Sequence, residues 1–152
     1  MKFKFPLQKV LDHRKIKEDL AQKDFQDAMS ELRGMQKKLA EMETQIRDAH
    51  LRAFRAQDAG GAAGPTLSQV DEFIRSQKVL IQKQRGKITV QEKVVEEKRD
   101  LLRQAVVDTK VIDKLKEKRF EEFKKKIDMD EQKEMDEQSI LRFETLEKKE
   151  AK

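Results

Sequence analysis

The residues that could do acid–base or metal chemistry are few and scattered. The chain has two histidines, His13 and His50, far apart in sequence. No His-x-x-x-His pair puts two imidazoles on one helical face, and no cysteine is present to give a thiolate, a disulfide or a soft metal ligand. Gly60-Gly61 is not followed by Gly-Lys-Ser/Thr, so it reads as a turn and not as a phosphate cradle. Carboxylates abound, but thin charged helices offer no cleft in which a carboxyl could be tuned for catalysis. The expectation is therefore no catalytic residue, no metal site and no cofactor.

Charge is distributed more tellingly than its net value of +5 suggests. Residues 1–17 carry six Lys/Arg and one Asp, and residues 110–126 carry eight Lys/Arg and four Asp/Glu. Residues 128–152 reverse the sign, with nine acidic and five basic side chains. A basic run can be a solvated face, or it can steer docking onto an acidic protein or nucleic acid. No aromatic interleaving or base-reading motif accompanies the lysines, so nucleic acid is not the expected partner.

These charges must be positioned by helices. From Ala21 to Ala53 the apolar residues run Ala21, Phe25, Ala28, Leu32, Met35, Leu39, Met42, Ile46, Ala49, Ala53, with spacings alternating four and three. A stripe of that period predicts a left-handed supercoil, and it is stable only if a second helix lies along it. With 43% charged and 36% apolar residues, the chain suits long helices that each bury one stripe. The sustained period argues against disorder, the other reading of so much charge. Leu7 and Leu11 continue the stripe in phase, but Arg14 and Glu18 take its next two positions, and Val10, Ile16 and Leu20 lie on a neighbouring face.

Pro6 predicts a helix start near Leu7. The segment Ala59-Gly60-Gly61-Ala62-Ala63-Gly64-Pro65 predicts a turn over 59–65, followed by a capping box at Thr66 and Gln69. A second helix is then expected over about 67–146, against about 7–58 for the first. Its apolar pairs recur every seven residues: Phe73-Ile74, Leu80-Ile81, Val94-Val95, Leu101-Leu102. Gln77, Gln84 and Gln91 fall inside the same stripe and read as a loose, partly hydrated seam or as a face for a partner. Gly34 and Gly86 lie off it as weak points.

The expected fold is all-α, a long antiparallel two-helix coiled-coil hairpin with an overhanging C-terminal helix, and residues 1–152 form a single coiled-coil rod. Folding about residue 62 sets Leu11 opposite the region of Asp113 and brings both basic stretches to the open end. The overhang keeps Phe120, Phe123, Ile127, Met129, Met135, Ile140, Leu141, Phe143 and Leu146, with nothing else in the chain expected to cover them. No apolar run reaches the roughly 20 residues that span a bilayer. No apolar stretch follows the basic start as a signal peptide would require, so the expected setting is cytoplasmic.

The opening pattern Phe3, Phe5, Leu7, Val10, Leu11, Arg14 and the acidic stretch Met129–Glu137 resemble those of the flagellar export protein FliJ family, and the length and one-hairpin layout agree. The resemblance implies a stalk-like coiled coil, similar to the central stalk of rotary ATPases, that sits in the pore of a hexameric export ATPase (FliI-like). It also implies contact with an export gate protein (FlhA-like) and escort or recycling of substrate chaperones. Such a protein works at the cytoplasmic face of the inner membrane without inserting into it. The gate contact carries over onto Phe73, Gln77, Leu80 and Gln84. The stalk reading assigns ring contact to the basic open end: Leu7, Lys9, Arg14, Lys15, Lys114, Lys118, Arg119, Phe120 and Phe123. A generic coiled-coil tether, a basic nucleic-acid-binding rod and the stalk of a virulence type III secretion system are the alternatives.

Overall fold

A computed structural model describes residues 1–60 and 64–151. It is all-α: α1 spans Gln8–Asp58 and α2 spans Gly64–Glu150. The two long helices pack against each other as a hairpin, with no strand among the described residues.

Local chemistry explains the helix ends. Residues before Pro6 lie outside the helix, and the Gln8 N–H donates to the Phe5 carbonyl at 3.1 Å to open the first turn. At the other end of α1 the Ala59 N–H reaches the Arg55 carbonyl at 3.0 Å, and Gly60 N–H reaches Gln57 at 3.3 Å. Gly60 has φ 68°, the left-handed conformation that stops a helix and costs glycine least. The turn expected over 59–65 lies partly on residues 61–63, outside the described residues. α2 is already helical at Gly64, so Thr66 stands inside the first turn and does not cap it. Pro65 allows this, because the first-turn N–H groups have no intrahelical acceptor and a proline there loses nothing.

The chain divides into two units, Lys17–Ala105 and Met1–Ile16 with Val106–Lys152. In the first, Ala28, Leu32, Ile88 and Val95 form a buried cluster flanked by Phe25, Met29, Met35, Leu39 and Val94. Ala49, Val70 and Ile74 form another, flanked by Ala53 and Phe73. The seam is narrow, as its period requires, so Ile74, Ile81 and Val95 are inside while the first member of each pair stays at the edge, and of Leu101-Leu102 neither is fully buried. Ile81 is buried while Leu80 is 44% exposed.

The glutamines of this seam correct the sequence reading. They do not form a loose, hydrated strip. Gln91 Nε2 donates to the Ala28 carbonyl at 3.0 Å, Gln84 Nε2 to the Met35 carbonyl at 3.0 Å, and Gln77 Nε2 to Gln45 Oε1 at 3.1 Å. A glutamine is long enough to cross to the facing helix, so the amide swaps water for a backbone carbonyl. Among the described residues, Gln77 Oε1 is the one buried side-chain polar atom without a partner. Polar groups placed this way fix register at some cost in stability.

In the second unit Leu11, Thr109 and Ile112 are buried. Arg14 occupies a seam position, and its Nη1 donates to the Asp108 carbonyl at 2.8 Å. From residue 131 to 150 every residue of α2 is exposed.

Candidate partner-binding surfaces

The basic end is built within the unit of Met1–Ile16 and Val106–Lys152. Lys9, Lys114, Lys118 and Arg119 are exposed, and Leu7 is partly so. Arg14 is committed to the Asp108 carbonyl. Lys15 Nζ lies 4.0 Å from Asp113 Oδ1 with both side chains about half exposed, a pair that contributes little. Lys9, Lys114, Lys118 and Arg119 are therefore among the exposed cations of this unit without an ion-pair partner in the described residues, together with Lys2, Lys4, Lys110, Lys125 and Lys126.

The phenylalanines here are not left bare. The Phe3 ring meets Phe120 edge-on at 5.2 Å between centroids and Phe123 at 5.5 Å. Lys124 Nζ sits 4.7 Å from the Phe120 centroid, within cation–π range. This overturns the expectation that nothing in the chain covers Phe120 and Phe123. The non-helical N-terminal segment reaches them through Phe3, and Phe120 keeps 40% of its surface exposed. Sequence reasoning missed Phe3 as part of this site. Two signals were available: Phe120 and Phe123 share one helical face, and Phe3 and Phe5 alternate as extended residues do. The result is an aromatic knot bordered by Lys4, Arg119, Lys124 and Lys126, with Glu122 among them. It can seat apolar contacts while its charges draw in an acidic surface.

The four residues assigned to gate contact divide into two pairs. Phe73 packs on the Ala49, Val70 and Ile74 cluster, with the Arg52 guanidinium 6.0 Å from its ring, and Leu80 is accessible. Gln77 and Gln84 turn inward to Gln45 and Met35, and Gln84 is buried. Phe73 and Leu80 thus share an outer flank of α2, one heptad apart, while the glutamines lie beneath them in the seam.

His13 and His50 are both exposed and on α1. Among the described residues no group of His, Cys, Asp or Glu side chains could hold a metal ion. Among the described residues no helix is long and apolar enough to cross a membrane. Residues 3–148 match the family model described as Flagellar FliJ protein. No curated protein and no solved structure matches the chain.

Proposed function

The chain belongs to the flagellar FliJ family of non-catalytic export components, and on that premise we propose that it acts in the flagellar export apparatus as the central stalk of the export ATPase. The basic end enters the ATPase ring and favours the assembled hexamer by linkage, because a ligand that binds only the ring shifts assembly toward it. The protein itself catalyses nothing. The observation that carries this reading is the Phe3–Phe120–Phe123 knot bordered by Lys4, Arg119, Lys124 and Lys126, in a unit that also exposes Lys9, Lys114 and Lys118. Apolar knobs hold the end in the ring and the cations steer it there.

Gate contact falls on Phe73 and Leu80, with Gln77 and Gln84 holding the helix register under them. Chaperone escort, and a working position at the cytoplasmic face of the inner membrane, follow from the same family role. The test is stimulation of the cognate ATPase by a Lys114→Glu, Lys118→Glu, Arg119→Glu variant. All three side chains are exposed, so helicity should be unchanged. Stimulation at low salt should fall by about tenfold, and the deficit should shrink as salt screens the charges. Full stimulation by the folded variant would remove the basic end from the ring.

A further inference from the structure

The two flanks of the hairpin differ within residues 17–105. On one flank long side chains bridge the helices. Arg85 Nη2 meets Glu43 Oε1 at 3.3 Å, and the Arg99 guanidinium lies 5.7 Å from the Phe25 ring. On the other flank, between Phe73 and Leu101, no ion pair crosses among the described residues. There α2 presents a column that recurs every seven residues: Phe73, Leu80, Lys87, Val94, Leu101. Val90 stands one turn before Val94 on the same side.

The contact of Arg52 with Phe73 fixes which residues of α1 face this column. Stepping by heptads in opposite directions along the two helices places Gln45 by Leu80, Lys38 by Lys87, Glu31 by Val94 and Asp24 by Leu101. The charge of the rim therefore changes along the flank. Near Phe73 and Leu80 it is mixed, with Arg52, Lys38, Lys83 and Lys87 alongside Glu41 and Asp48. Near Val94 and Leu101 it is acidic, from Asp24, Asp27, Glu31 and Glu97, and none of these four carboxylates has an ion-pair partner. In the acidic half Val90 is 63% and Leu101 58% exposed, and Leu20 of α1 adds a further accessible side chain. A solvated coiled-coil flank would carry polar residues at these positions. Apolar ones at helix–helix spacing are what a third helix packs against.

We propose that Val90, Val94 and Leu101, rimmed by Asp24, Asp27, Glu31 and Glu97, form a second docking surface that takes a basic amphipathic helix of a partner protein. The surface is independent of the ring and gate contacts proposed above. The carboxylates select lysine- or arginine-rimmed helices, and the column from Val90 to Leu101 matches about three turns of the partner.

The test uses full-length protein and two synthetic helical peptides with the same leucine stripe, one carrying lysine at every other position and one glutamate. Fluorescence anisotropy should show binding of the lysine peptide and not of the glutamate peptide. Val90→Ser with Leu101→Ser should weaken it at least about tenfold, with helicity retained because both side chains are exposed. Asp24→Lys, Asp27→Lys and Glu97→Lys together should reverse the preference between the peptides. Leu51→Ser with Val79→Ser, equally exposed but off this flank, should change nothing. The proposal is overturned if the lysine peptide does not bind, if both peptides bind alike, or if the Val90/Leu101 variant binds as well as the parent. Sedimentation showing a dimer that the Val90/Leu101 variant dissolves would give the surface to a second copy and equally overturn it.

Discussion

Residues 70–95 and 131–150 belong to the same helix, α2, and meet opposite fates. In the first stretch Val70, Ile74, Ile81, Ile88 and Val95 are buried, with Gln84 and Gln91 bonded across the seam. In the second every residue is exposed, Met135 and Phe143 to 68% and 64%. Apolar content alone does not separate them. The first stretch keeps its apolar residues at seam spacing and has α1 alongside. The second has irregular spacing and only local support, such as the Ser139 and Thr145 hydroxyls bonding back to the Met135 and Leu141 carbonyls at 2.9 and 2.6 Å. Stability in this chain is therefore lodged in the seam, and the last turns of α2 form its low-stability end.

The strongest way to break the comparison is Leu32→Asp. Leu32 sits in the Ala28, Ile88 and Val95 cluster, and a carboxylate there is buried without a partner. The expected loss is about 3 kcal/mol or more in urea unfolding. An unchanged midpoint would mean that this cluster does not hold the hairpin. The effect of Gly34→Ala and Gly86→Ala has the opposite sign. Both glycines lie in helix interior, and an added Cβ meets nothing within 4 Å. Each should gain up to about 1 kcal/mol and raise the thermal midpoint. A loss at either would show that bare backbone is needed there. The smallest effect belongs to the tail: Ile140→Ser with Phe143→Ser should move unfolding by less than about 0.5 kcal/mol. A large loss would show that residues 131–150 carry folding energy after all.

The periodic parts of this architecture were legible from residues alone. The four-three spacing from Ala21 to Ala53 puts Ala28, Leu32 and Ala49 inside, and they are buried. Arg14 in phase with that spacing marks a polar seam position, which the structure fills with a bond to the Asp108 carbonyl. Periodicity could not choose the acceptor for Gln84 or Gln91, because it fixes a side chain's direction and not its partner. Nor could it separate the two members of an apolar pair. Leu80 and Leu101 look like core beside Ile81 and Leu102, yet a stripe of this width buries Ile81, covers Leu102 only in part and leaves Leu80 and Leu101 at the edge. Phe3 was the hardest to place. It lies in a non-helical segment with no period, and its position against Phe120 and Phe123 is a tertiary fact. The acidic rim on the Val94 side likewise emerges only once the Arg52–Phe73 contact sets the register.

The central claim is that the basic, aromatic end enters the ATPase ring. A photo-cross-linking residue at position 120, and separately at position 59 beside the turn, tests it most directly in the presence of assembled ATPase and nucleotide. The account predicts that position 120 cross-links to the ATPase and position 59 does not. Cross-links from position 59 with none from position 120 would contradict it, and would put the turn in the ring instead.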